Sequence, residues 1–262
     1  MHWLRDIAAR FASAVQYLTV LRPGALLPFV RVRVPYEEAA VFLPLVGGLT
    51  GAFSGLALWA FTQLPLHKGL STALVLAGFT AFSGFRQEAG LMGVSSDVGA
   101  IRGLASAGAT ANRESNRLAV EARGVALVVL SLLIRWQALA VLADSPLWFL
   151  LAATTSAGLL SRSSIIFLAA SAPPRGLGSV AAFIGDVPGW LLLATGLQAS
   201  VAVSLMGWQG TAPLVVGGVL LVLVLRWWFV RRLGGLNGHC LCACVAATES
   251  FVLIVAAWRG AF

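Results

Sequence analysis

The stretch Val41–Leu66, VFLPLVGGLTGAFSGLALWAFTQLPL, contains no Asp, Glu, Lys or Arg. A helix needs about 20 apolar residues to cross the roughly 30 Å hydrocarbon core of a bilayer, so this stretch predicts a membrane-spanning helix. Six more follow the same pattern. Gly69–Phe85, Val187–Trp208 and Thr211–Leu225 carry no charge; Gly124–Ala143 is interrupted by Arg135, Leu147–Ala172 by Arg162, and Cys240–Trp258 by Glu249. The composition agrees. Of 262 residues, 59% are hydrophobic and 11% charged, against roughly 25% charged in soluble globular chains. An ordinary soluble domain is excluded, and so is disorder, which requires too little apolar surface rather than too much. Three Cys cannot build a disulfide framework. The expected fold is all-α: a single integral membrane domain over 1–262, a polytopic bundle of about seven spans.

Orientation follows from the basic residues. Seven spans put the N-terminus and the connections 86–123, 173–186 and 226–239 on one side, with fourteen Arg there against Lys68 and Arg259 opposite. Lys and Arg mark the cytoplasmic side of membrane proteins, so the N-terminus is expected to be cytoplasmic. The net charge of +8 then orients the chain and needs no nucleic-acid partner. Residues 1–40 open with a mildly amphipathic pattern around Arg5, Asp6 and Arg10, without the apolar core or cleavage site of a signal peptide. We expect an interfacial segment there.

Two polar segments interrupt the apolar pattern. Residues 86–123 hold Arg86, Glu88, Asp97, Arg102, Arg113, Glu114, Arg117, Glu121 and Arg123, nine of the chain's 28 Lys, Arg, Asp and Glu, punctuated by Gly90, Gly93, Gly99 and Gly103. The expectation is a long polar loop between spans two and three, helical from Asn112 to Arg123. The second segment, Arg231–His239 (RRLGGLNGH), closes the 226–239 connection; its glycines permit close backbone approach, and Arg231 and Arg232 suit a phosphate. His239, Cys240, Cys242 and Cys244 suggest soft-metal ligation, but on a helix Cys242 would point away from Cys240 and Cys244, and buried Cys is common packing material. Glu249 is an acid well inside a span, where ionisable groups face a cavity or a partner; Arg135 and Arg162 are the candidate partners.

Four stretches resemble one family. FASAVQYLTVLRP (11–23) is similar to an A-x-x-F-L-T-x-x-P segment, and VFLPLVGGLTG (41–51) to F-P-L-V-G-x-x-x-G. Residues 83–97 stand where T-G-x-x-H-x-D-G-L-A-D-x-x-D-G is expected, with 124–140 like the span that follows it, and GGLNGHCLCACVAATE (234–249) resembles G-G-x-T-G-D-x-x-G-A-x-x-E-x-x-E. The family is cobalamin (5′-phosphate) synthase, also called adenosylcobinamide-GDP ribazoletransferase. The resemblance implies a multi-pass protein of the inner (cytoplasmic) membrane that joins α-ribazole or its 5′-phosphate to adenosylcobinamide-GDP and releases GMP late in cobalamin biosynthesis. It implies corrinoid and nucleotide substrates, a biosynthetic membrane complex and a Mg²⁺ held by carboxylates. This chain departs from the pattern. Gln87 stands at the family's His, while Ala89, Gly93 and Ser96 stand at its three Asp; Arg117 replaces a further Asp, Asn237 a Thr and His239 an Asp, and Glu249 matches the final Glu.

The substitute catalytic acids are then Glu88, Asp97 and Glu121, the metal ligands Glu88, Asp97 and Glu249, and the substrate or phosphate contacts Arg86, Gln87, Arg117, Asn237 and His239. Two alternatives accompany this reading: a catalytically degenerate relative that binds corrinoid or serves as a scaffold, and a small-solute transporter.

Overall fold

The computed structural model describes residues 2–23, 34–105, 113–176 and 179–260. These residues form helices α1 (His2–Leu18), α2 (Tyr36–Ala39), α3 (Leu43–Thr62), α4 (Lys68–Phe82), α5 (Arg86–Ala105), α6 (Arg113–Leu142), α7 (Leu147–Ser171), α8 (Ser179–Phe183), α9 (Gly189–Leu205), α10 (Gly207–Leu233) and α11 (Gly238–Gly260), with a 3-10 turn Ala40–Phe42 leading into α3. Among the described residues there is no named strand, only an isolated bridge between Pro174 and Leu236. Five segments are long and apolar enough to cross a membrane: Tyr36–Thr62, Leu118–Leu142, Leu147–Ser171, Gln209–Leu233 and Gly238–Gly260. The other two expected spans, α4 and α9, are shorter apolar helices of 15 and 17 residues.

Helices α7 and α11 form the centre. The spans that contain them have 78% and 72% of their apolar windows buried, against 11% for α10 on the outside. Between membrane helices lipid removes the hydrophobic incentive, so close packing must come from small residues. The α3 stripe Gly47, Gly51 and Gly55 supplies it. A Cβ on Gly47 would lie 2.4 Å from the Gly158 carbonyl of α7, and one on Gly51 would lie 2.2 Å from the Thr154 carbonyl. The motif that predicts the first span from hydropathy is therefore also its packing seam.

Residues 86–123 are the main correction to the sequence reading. The polar loop expected there is a helical hairpin: α5 occupies 86–105 and α6 is already helical at Arg113. The glycines read as loop punctuation are contact points instead. A Cβ on Gly90 would lie 2.4 Å from Cys242 of α11, and one on Gly99 would lie 2.2 Å from Val120 of α6. Likewise α10 continues through Arg226 to Leu233, so the polar connection begins only at Gly234, whose φ of 78° caps the helix.

Helix α1 turns its second half into the bundle. Ala12, Ser13 and Ala14 are buried, Phe11 meets Phe42 edge-on at 5.9 Å, and Tyr17, Tyr36 and Phe183 meet edge-to-face in a chain. The Val20 amide then donates to the Phe82 carbonyl at 2.9 Å, the last residue of α4.

Candidate functional site

Helices α4 and α5 are two halves of one path through the bundle, broken at Ser83–Phe85. Gly84 (φ 67°) and Phe85 (φ 56°) both adopt left-handed backbone, which a bulky residue such as Phe rarely accepts. The Phe85 amide donates back to the Thr80 carbonyl at 3.0 Å, and α5 starts at the next residue. Breaks of this kind are tolerated inside a membrane only where protein or a cavity satisfies the backbone.

The first turn of α5 carries Gln87 and Glu88, and around them four helices contribute a buried network, in which Glu88 Oε2 is left without a hydrogen-bond partner among the described residues. Arg135 (α6) donates to Gln87 Oε1 and to Glu88 Oε1, both at 2.7 Å. Gln87 Nε2 donates to Glu249 Oε2 of α11 at 2.8 Å, and Arg162 of α7 donates to the same oxygen at 2.6 Å. Arg135 also lies 3.8 Å from the other Glu249 oxygen. Both arginines expected as partners of Glu249 are thus its partners. Two cations and two anions cancel, as a buried cluster requires, because unpaired charges in this setting are prohibitive. Arg135 is 3% exposed and Glu88 7%.

A cavity of about 70 Å³ adjoins this network, lined by Gln87, Arg135, Arg162 and Glu249 and by hydroxyls that include Thr50, Ser54 and Thr80. Thr80 Oγ1 and Arg162 Nε are buried without a hydrogen-bond partner among the described residues. Water entering this polar cavity would find both atoms as hydrogen-bond partners.

Further along α5 lies a second, open cluster. Asn237 caps α11 by accepting from the Cys240 amide at 3.1 Å, while its Nδ2 donates to Asp97 Oδ2 at 2.7 Å. His239 Nδ1 lies 3.7 Å from the same Asp97 oxygen, and its side chain is 56% exposed. Gly93 makes room for that imidazole: a Cβ there would lie 2.0 Å from His239 Nδ1. The two polar segments of the sequence therefore meet. Behind them the Leu236 amide donates to the Pro173 carbonyl at 2.9 Å and the Arg175 amide to the Leu236 carbonyl at 2.6 Å, pinning the 234–237 turn to the end of α7.

The remaining expected residues fall outside these clusters. Arg86 is exposed and donates to the Gln16 carbonyl at 3.3 Å. Glu121 is exposed on α6, at the level where Ser95 bonds the Val120 carbonyl. Arg117 lies on α6 with its side chain outside the described residues. Glu88 and Glu249 meet around Arg135, but Asp97 stands about 14 Å further along α5, nine rises of 1.5 Å, so the three expected metal ligands are not gathered. Among the described residues no group of three or more His, Cys, Asp or Glu is placed to hold a metal ion. Cys240 and Cys244 are buried, and Cys244 Sγ lies 3.4 Å from Ser164 Oγ.

Sequence reasoning missed the helix break, the bridging role of Gln87 and the lining hydroxyls of the cavity. The adjacent Ser83-Gly84, at the end of an apolar run, was the one available signal for the break.

Fold and site together define a multi-pass helical membrane protein, with a buried charge network at a central helix break and an open polar cluster on the same helix. The chain matches the family model of cobalamin-5-phosphate synthase over residues 10–257 and belongs to that family. It is 26% identical to the adenosylcobinamide-GDP ribazoletransferase of Bradyrhizobium diazoefficiens over 97% of this chain and 95% of that one. It is 27% identical to the protein of the same name from Ralstonia nicotianae over 97% of each, and 24% identical to that of Vibrio cholerae over 94% and 92%. No solved structure matches it.

Proposed function

We propose that this chain joins α-ribazole or its 5′-phosphate to adenosylcobinamide-GDP, releasing GMP. The observation that carries the reading is the family match along residues 10–257. Neither the corrinoid-binding scaffold nor the transporter is favoured by the relatives. In the reaction the ribose 3′-hydroxyl, which is free in both α-ribazole and its 5′-phosphate, attacks through its oxygen and bonds to the phosphorus attached to cobinamide. The bond from that phosphorus to the bridging oxygen breaks, and GMP leaves with the electron pair. The hydroxyl proton needs an acceptor in reach of bulky substrates. We assign the open cluster to that role: His239 accepts the proton, Asp97, whose Oδ2 lies 3.7 Å from His239 Nδ1, balances the charge that forms, and Asn237 holds Asp97 while capping α11. Arg231 and Arg232, on the last turn of α10, offset phosphate charge. Glu88, Gln87 and Glu249 are then positioning residues, which fix α5 against α11 from below.

A resident Mg²⁺ does not fit these side chains. A hard dication seeks several oxygen ligands; Glu88 Oε2 is buried without a hydrogen-bond partner among the described residues, but it is a single oxygen, Glu88 Oε1 and Glu249 Oε2 are taken by Arg135 and Arg162, and a cation there would face two guanidiniums. No step is assigned to a protein-held metal. We place the chain in the inner (cytoplasmic) membrane with the open cluster on the cytoplasmic side, where nucleotide substrates are found; association with other cobalamin-biosynthesis proteins belongs to the same proposal.

The test is direct. Full-length protein in nanodiscs, given GDP-cobinamide and α-ribazole with and without Mg²⁺, should release GMP above an empty-nanodisc control. No release under either condition contradicts the reading.

A further inference from the structure

Helices α9 and α10 are joined by a tight turn at Met206–Gly207, where Gly207 has φ 66°. Between them, floored by α7 and α11, lies a crevice of about 660 Å³, a size that accepts a drug-sized apolar ligand. No residue of the two polar clusters lines it, although Ser163 and Thr248 in its wall are the chain neighbours of Arg162 and Glu249. Its α10 wall is the stripe Thr211, Leu214, Val215, Gly218, Val219, Val222 and Leu223, spaced three and four apart.

The wall offers little to a polar solute, although hydroxyls are frequent in it. Ser163, Ser164, Ser200, Ser204 and Thr211 each donate to a carbonyl of their own helix, at 2.7 to 3.0 Å. Their donors are spent, so the surface presented is aliphatic. One end differs. The next residue in the α10 stripe is Arg226, half-buried, with Nε donating at 2.5 Å to the carbonyl of Ser171, which itself lines the crevice.

We infer that this crevice holds one acyl chain of an anionic phospholipid, with the headgroup phosphate on Arg226. Length argues for it. From Thr211 to Leu223 the stripe runs about 18 Å at 1.5 Å per residue, close to one leaflet's share, ~15 Å, of a 30 Å hydrocarbon core. Charge argues for it too, because an arginine pairs with phosphate through two nitrogens and Arg226 closes the crevice-lining stripe of α10 with a cation. Gly218 supplies the width: a Cβ there would meet nothing within 4 Å. The inference is independent of the transferase reading, since neither cluster lines the crevice.

Native mass spectrometry of the full chain released from nanodiscs of mixed phosphatidylglycerol and phosphatidylcholine tests it. Wild type should retain one phosphatidylglycerol, preferred about tenfold, the worth of a charged hydrogen bond. Arg226→Gln should lose the preference and Arg226→Lys should keep part of it. Gly218→Leu and Ser204→Phe should each lose the retained lipid, while Val224→Leu, on the outer face of α10, should retain it. Equal retention of the two lipids, retention unchanged in both crevice-filling variants, or replacement of the lipid by a second copy of the chain would overturn the proposal.

Discussion

Glu88 and Asp97 are both carboxylates of α5 with partners on α11 or its neighbours, yet their surroundings differ in every respect that matters. Glu88 is buried, bonded by Arg135 and joined through Gln87 to Glu249 and Arg162. Asp97 is partly exposed and faces a neutral amide and an imidazole open to solvent. A neutralised, enclosed cluster gains rigidity and loses access; an open one keeps access and must be held by its neighbours. The acids nearest the helix break hold the bundle, while the outer end of the same helix keeps the access that the proposed chemistry needs.

The largest effect should come from breaking the enclosed cluster. Glu249→Ala leaves Arg162 uncompensated and should destabilise the protein by about 3–5 kcal/mol, read as a shifted unfolding midpoint in mixed micelles. Adding Arg162→Met should recover much of that loss, since an apolar replacement of a buried pair is often tolerated. A wild-type midpoint in Glu249→Ala would remove the structural role given to the network.

His239, in the open cluster, should respond in rate rather than stability. His239→Ala is expected to lower GMP release about a hundredfold, the lower range for loss of a general base, with the unfolding midpoint unchanged. Unaltered turnover would clear His239. Smaller and more diagnostic is Gly93→Ala. Its methyl would displace the exposed imidazole from Asp97 and should lower turnover, whereas in a His239→Ala background the clash disappears and the two changes become strongly non-additive. Additivity would show that Gly93 serves something else. Asn237→Ala should cost about 1 kcal/mol of stability for a lost helix cap and should lower turnover by freeing Asp97.

Much of the architecture was legible in the residues. Charge-free runs locate the apolar helices, and Arg135, Arg162 and Glu249 advertise a pairing because nothing else inside the spans can neutralise them. The break was not legible, since hydropathy measures length and Gly69–Phe85 is long enough to pass for a complete span. Nor was α5. Its polar and glycine content reads as loop when taken along the chain, but in three dimensions Gly90 and Gly93 let α11 approach and Gly99 does the same for α6. The candidate site was half legible: Glu88, Gln87, Asp97, Asn237, His239 and Glu249 are all in one cluster or the other. Their division into two clusters depends on the helical rise of α5, which a loop assignment conceals.

GMP release by Asp97→Asn and Glu88→Gln, assayed side by side in nanodiscs and normalised to folded protein, tests the division most directly. The account predicts that Asp97→Asn falls about a hundredfold below wild type, while Glu88→Gln turns over at close to the wild-type rate and unfolds more easily. The reverse pattern, a silent Asp97 and an indispensable Glu88, would contradict it.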